Sequence, residues 1–348
     1  MNKSVKVKYL VPAAACLLVL AGVAYYYFFT SFTGSDKTTY IYVDENDNYD
    51  SLMQKLEPIA QKHCYHAFTT LSRHSGMTNK LHTGRYAIKP STGAFILFRH
   101  IKNGMQEPLA LTIPSVRTIG DLAGALGNKL MIDSATFVRA FSDEAFCKKY
   151  GYDTTTLPAL FIPNTYDMYW NVTPDGLMKY MQKEYEKFWN DDRTSKVEAL
   201  KLTPLQVVTL ASIVDEETAN NSEKPMIAGM YYNRLNYRDD KYPEGMPLQA
   251  DPTIKFAWKQ FGLKRIYEKL LFIDSPYNTY KNPGLPPGPI RIPTIAGVDA
   301  VLNLVHHDYL YMCAKEDLSG THNFARTYAE HLLNAHKYVK ALNERGIK

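Results

Sequence analysis

Lys3, Lys6 and Lys8 stand before an uncharged run that extends from residue 9 to residue 30. No other feature restricts the chain so strongly, because about 20 consecutive apolar residues are what a bilayer-spanning helix needs. The run closes on Tyr25, Tyr26, Tyr27, Phe28 and Phe29, an aromatic belt of the kind found at a membrane interface. The lysines are expected on the cytoplasmic side, and the acidic stretch of Asp44, Glu45 and Asp47 outside. A cleaved secretory signal is the competing reading. The apolar run is long for a signal, and no good small-x-small site follows it. The expectation is therefore a retained, single-pass anchor in the inner (cytoplasmic) membrane, with the N-terminus in the cytoplasm and the rest exported.

The whole chain has 348 residues, enough for two domains and a sizeable core. Its formal charge, 40 − 35 = +5, suits an anionic surface or wall polymer but is too weak to argue for nucleic acid. No basic run joins a nucleic-acid-binding motif. Outside the apolar run stand Cys64, Cys147 and Cys313, an odd and widely spaced set that describes no disulfide framework. His63, Cys64 and His66 lie close together, yet no second cluster at zinc-like spacing supports a metal site. The expectation is no metal and no cofactor.

Residues 31–38 read as a polar linker, and 39–43 and 84–88 have strand composition. Helices are expected over 50–63 and 92–103, which makes a small α+β module of the first exported part. From about residue 115 the pattern changes to helices alternating with loops rich in Pro, Asn and Tyr. The predicted fold class is α+β, with an N-terminal transmembrane helix (1–34), the small module (35–115) and a mixed α/β domain with a loop-built cleft (116–348).

Within the last part, residues 205–218 read as an amphipathic helix. Its apolar stripe runs through Val207, Leu210, Ala211 and Val214, and the next steps fall on Glu217 and Thr218. Asp215 is rotated about 200° from Glu217 and should point elsewhere. An acid on a buried stripe has its charged form disfavoured and its pKa raised. Lifting a glutamate from about 4.3 to between about 6 and 7 costs roughly 2.5 to 3.5 kcal/mol of stability. Such groups cluster where a proton must be delivered near neutral pH; the competing reading is a solvated acid at a helix end. Asn220 with Glu223 resembles an N-cap and its reaching acid, opening a second helix through Met226, Met230 and Arg234. The dipole of that helix would oppose the effect of burial on Glu217.

Five segments follow one another in a fixed order. They are 210–218, ending Asp215-Glu216-Glu217-Thr218; Tyr232-Asn233-Arg234-Leu235; Leu248-Gln249-Ala250-Asp251-Pro252-Thr253; Tyr277-Asn278-Thr279-Tyr280; and Gly284-Leu285-Pro286-Pro287-Gly288-Pro289-Ile290. In these the chain resembles the endolytic murein transglycosylases of the MltG, or YceG-like, type. The region around Gly84, Arg85 and Tyr86 is similar, more loosely, to that family's LysM-like module. The resemblance implies a lytic transglycosylase that cuts the MurNAc-β-1,4-GlcNAc bond of nascent peptidoglycan and leaves 1,6-anhydro-MurNAc ends. It makes Glu217 the single catalytic acid and base. The family usually has Glu and Lys where this chain has Asp215 and Glu216, and a Glu216 charge near the site would push the Glu217 pKa further up.

Other site residues are expected in supporting roles. Gln249 and Asn278 have amides to hold N-acetyl or hydroxyl groups, and Tyr277 and Tyr280 could stack on a sugar face. Arg234 would meet a stem-peptide carboxylate or a neighbouring acid, and Asn233 stands beside it as site residue or helix-end brace. Asn323 is a candidate substrate contact, with loop capping as the other reading for it and for His322. Asp251 reads equally as a turn residue. The expected partners are peptidoglycan strands, the inner membrane and peptidoglycan synthases, and no nucleic acid. Two rivals remain, a membrane-tethered wall-binding scaffold without catalysis and a conventional hydrolytic muramidase, and the cleavage products separate them.

Overall fold

The computed structural model describes residues 3–346 apart from Lys264. The chain divides into two compact units, one formed by residues 1–111, 129–132 and 166–172 and the other by the remainder.

The first unit opens with helix α1, Lys3–Phe29, which contains the apolar span Leu10–Phe29. That span has a mean hydropathy of 1.9 and none of it is buried, so its side chains are left for a surrounding apolar phase or for solvent. At the end of the helix Tyr26 stacks on His63, with ring centres 4.0 Å apart, and Thr30 Oγ1 lies 2.8 Å from His63 Nε2. Strand β1, Thr39–Val43, pairs antiparallel with β2, Gly84–Ile88, both as the sequence predicts. Between them lie α2, Tyr49–Leu56, and α3, Lys62–His74, where one helix was expected over 50–63. The apolar pattern runs through, but Pro58 cannot continue a helix and the chain turns there in a short 3-10 segment. Helix α4, Ala94–Lys102, closes a core of Phe32, Val43, Leu52, Phe68, Tyr86, Ile88, Leu97 and Ile101. Strand β3, Leu109–Thr112, pairs with β4, Thr165–Met168.

The second unit begins with α5, Ile119–Gly127, α6, Ser134–Phe141, and α7, Glu144–Lys148. It continues through α8, Pro174–Phe188, and α9, Asp191–Ala199, to its central helix α10, Pro204–Glu217. Thr203 caps α10, accepting from the Gln206 N–H while the Gln206 side chain accepts from the Thr203 N–H. Every residue of α10 from Val207 to Asp215 is buried, so the helix runs through the core with neighbours on all sides rather than along one stripe. Those neighbours include α11, Lys224–Asn236, α12, Asp251–Ala257, and α13, Ile295–Leu302. A hairpin of β5, Tyr311–Ala314, and β6, His322–Ala325, precedes α14, Tyr328–Glu344. The Gly-Leu-Pro-Pro-Gly loop is tied to α10 where Ile290 N–H donates to Ser212 Oγ at 3.0 Å. Its Gly288 passes so close to the Thr155 carbonyl that a β-carbon would lie 2.4 Å from the oxygen.

The expected N-cap at Asn220 does not form. Asn220 Oδ1 instead accepts from Ser222 within the connecting turn, and α11 starts at Lys224 without a side-chain cap.

Candidate active site

Because α10 ends at Glu217, the last turn of a buried helix delivers a carboxyl to a cavity of about 330 Å³. Glu217 is partly exposed there, and the wall around it includes Tyr231, Arg234, Gln249, Asp251 and Tyr280. The Tyr231 hydroxyl donates to Glu217 Oε1 at 2.5 Å. Burial pushes the Glu217 pKa up and outweighs that hydrogen bond, and the nearby Asp251 charge adds to the rise, so the group titrates at about 7. The helix dipole named as an opposing influence is not what Glu217 meets, because its partner Tyr231 lies in the middle of α11.

The rest of the wall is held by braces. Arg234 donates from Nε to the Leu310 carbonyl and from Nη1 to the Leu248 carbonyl, both at 2.6 Å, so its guanidinium is fixed by main chain. Gln249 adopts φ +50°, a left-handed conformation that costs a non-glycine residue about 1–2 kcal/mol. Hydrogen bonds from the Gln249 and Ala250 N–H groups to Thr279 hold that turn. The Tyr280 hydroxyl donates to Asp251 Oδ1 at 2.5 Å. Asp251 is thus the acid that α12 and the 277–280 loop bring to the same cavity as Glu217.

Several anticipated contacts stand elsewhere. Asn278 is fully buried, donates to the carbonyls of Leu271 and Ile273, and accepts from Tyr280 N–H. It shapes the loop that presents Tyr280 and does not line the cavity. Tyr277 packs on Phe256, with ring centres 4.7 Å apart, against the core. Asn233 donates to the carbonyls of His307 and Tyr309, and Asn323 to Glu316 Oε2 within the hairpin. Of the expected set the cavity therefore gathers Glu217, Arg234, Gln249 and Tyr280. Tyr231, Tyr311, His322 and His331 also line it, supplied by α11, the β5–β6 hairpin and α14. Tyr231 was open to detection, since it lies seven residues after Lys224 on a helix already recognised, whereas the hairpin pairing carries no local signal.

Asp215 and Glu216 point away from the cavity. Asp215 pairs with Lys224 at 2.7 Å inside the core and accepts from Thr294 N–H and Oγ1. Glu216 is gripped by Arg117 through two bonds of 2.8 and 2.9 Å, and by Arg291 at 2.9 Å. Two cations on the far face absorb its charge, so the anticipated push on Glu217 does not arise, and the carboxylate that does act is Asp251.

The YceG-like family profile matches residues 41–337, which include every residue of this cavity. The chain belongs to the YceG-like family. Curated relatives include a protein of Bacillus subtilis (strain 168) named endolytic murein transglycosylase, 30% identical over 68% of this chain. A Streptococcus pneumoniae protein of the same name is 28% identical over 88% of it. The matches span 66% and 59% of those relatives' own lengths, under two thirds in each. A crystal structure of a YceG-like protein from Listeria monocytogenes superposes with a TM-score of 0.53 at 26% identity, covering 86% of this chain and 99% of that one. In this chain Glu217 stands on the last turn of a buried helix, beside a wall fixed largely by main-chain hydrogen bonds.

Proposed function

We propose that the protein is a membrane-anchored endolytic lytic transglycosylase that cuts the MurNAc-β-1,4-GlcNAc bond of nascent peptidoglycan. The observation that carries this reading is Glu217, an acid whose pKa burial pushes up to about 7, in a cavity of about 330 Å³ of a YceG-like chain. Near neutral pH about half of such a group is protonated, which suits a residue that first donates a proton and then accepts one. Glu217 protonates the leaving glycosidic oxygen. The muramyl 6-hydroxyl attacks its own anomeric carbon, the carboxylate takes that hydroxyl's proton, and a 1,6-anhydro end results. Arg234, Gln249 and Tyr280 serve as the substrate-facing wall.

The apolar span Leu10–Phe29 is the anchor in this reading, which keeps the enzyme on strands close to the inner membrane and beside the synthases that extrude them. Removing residues 1–30 should then abolish complementation in cells. The LysM-like reading of residues 35–115 is supported by a module with its own core and paired strands.

Mass spectrometry of peptidoglycan digests tests the chemistry. The full-length protein should yield anhydro-muramyl products and Glu217→Gln none. Reducing ends would instead favour hydrolysis, with Asp251, on the same cavity, as the second carboxylate. No cleavage by either protein would favour a binding scaffold.

A further inference from the structure

His322 is tied to Glu223 by two hydrogen bonds that the chemistry of Glu217 does not use. The His322 main-chain N–H donates to Glu223 Oε1 at 2.6 Å, and His322 Nδ1 lies 3.0 Å from Oε2. The carboxylate side chain is only 8% exposed and the imidazole 16%, and His322 is one of the residues that line the cavity with Glu217. Glu223 occupies the N-cap position of α11, yet its side chain caps no helical N–H and holds the ring instead. A carboxylate at Nδ1 places the neutral ring's proton there and leaves the lone pair on Nε2. Nε2 makes no hydrogen bond to a described residue. Glu223 anchors this ring at the start of α11, whereas Tyr231, the partner of Glu217, is eight residues further on, about 12 Å of helix rise. His322 and Glu217 thus reach the one cavity from different elements, the β5–β6 hairpin and the end of α10.

We propose that His322 is a substrate-positioning residue whose Nε2 accepts a hydrogen bond from a hydroxyl or acetamido N–H of the glycan, with Glu223 fixing the tautomer that makes Nε2 an acceptor. The identity of the ligand rests on the function proposed above. Glu223→Gln separates positioning from folding. Its amide oxygen still accepts the His322 main-chain N–H, but its NH₂ faces Nδ1 and drives the ring proton to Nε2, turning an acceptor into a donor.

The test is equilibrium binding of purified glycan strands, with and without stem peptides, to the full-length protein in detergent micelles. Every protein carries Glu217→Gln so that strands stay intact. Adding Glu223→Gln or His322→Ala should weaken binding of both strand types about tenfold, the share of one hydrogen bond. The thermal midpoint of the Glu223→Gln protein should stay that of its parent. Unchanged affinity in both variants would overturn the proposal while leaving the transglycosylase reading intact. A loss confined to peptide-bearing strands, or one matched by a fallen midpoint in both variants, would also overturn it. A parent that bound neither strand would overturn the glycan assignment and the proposed function together.

Discussion

The Tyr231 hydroxyl donates a 2.5 Å hydrogen bond to Glu217 Oε1, and this bond opposes the effect of burial on the same carboxyl. Burial favours the neutral acid, while the phenol stabilises the carboxylate, so Tyr231 sets how far the pKa rises. Replacing Tyr231 by Phe removes the lowering influence and leaves the desolvation. The Glu217 pKa should rise further above about 7, and the alkaline limb of kcat/KM should move to higher pH. Loss of the bond should also cost about 1 kcal/mol of stability. A pH–rate profile of Tyr231→Phe beside wild type measures the shift, and an unmoved or lowered limb would contradict this role.

The raised pKa also predicts how stability varies with pH. Folding lifts the Glu217 pKa from 4.5 to about 7, so the folded state holds a proton that the unfolded chain gives up. Below pH 4.5 both states are protonated and the group contributes nothing. Stability then falls as pH rises from 4.5 to 7, by about 3 kcal/mol at about 1.4 kcal/mol per unit, and stays reduced above that. Glu217→Gln cannot ionise and keeps an acceptor for Tyr231. It should be more stable than wild type at pH 8, by up to about 3 kcal/mol, and equal to it at pH 4. Denaturant titrations of both proteins at the two pH values check this, and equal stability at pH 8 would show that Glu217 is not desolvated.

How Glu216 is held bears on the family's usual lysine at that position. Arg117 and Arg291 both bond its carboxylate, so Glu216→Lys would set three cations together. The variant should lose about 1–2 kcal/mol, a charge-assisted hydrogen-bond network exchanged for repulsion. The alkaline limb set by Glu217 should stay where it is, because Glu216 does not influence that group. A limb displaced by Glu216→Lys would mean that the charge reaches the cavity after all.

These residues also show what a sequence can and cannot carry. Helix α10 was legible because its apolar residues, Val207, Leu210, Ala211 and Val214, recur at helical spacing; its cap, Thr203 with Gln206, was equally local but went unread. That Asp215 and Glu217 face different ways follows from helical geometry alone. A single buried stripe does not hold, since Asp215 is buried in the core and Glu217 is partly exposed at the cavity. The break between α2 and α3 was missed because the apolar pattern persists across Pro58, and only the proline's missing N–H marks it. Asn278 and Gln249 look alike as loop amides, yet one turns inward to three main-chain groups and the other lines the cavity. Nothing local distinguishes them, since the difference lies in how the loop folds back on itself. Glu223 was read as the acid reaching back to an Asn220 cap because its partner His322, on β6, is 99 residues away and no local signal marks their meeting.

The buried pair of Asp215 and Lys224 supplies the last prediction. Their side chains are 1% and 5% exposed and meet at 2.7 Å, joining the ends of α10 and α11. Asp215 also accepts from Thr294 at the start of α13, so one carboxylate links three helices. Gly297 leaves the room it needs, since a β-carbon there would come within 2.5 Å of Asp215 Oδ1. Lys224→Met strands the carboxylate in the core, and breaking a buried pair from one side costs about 3–5 kcal/mol. Lys224→Met with Asp215→Asn removes both charges while keeping an acceptor for Thr294, and should recover much of that loss. If the Lys224→Met protein denatured at the same urea concentration as wild type, Asp215 would have to find another cation or take up a proton. The double variant separates the two roles of this region: it should restore stability with Glu217 still on the last turn of α10, and hence activity should return with the fold.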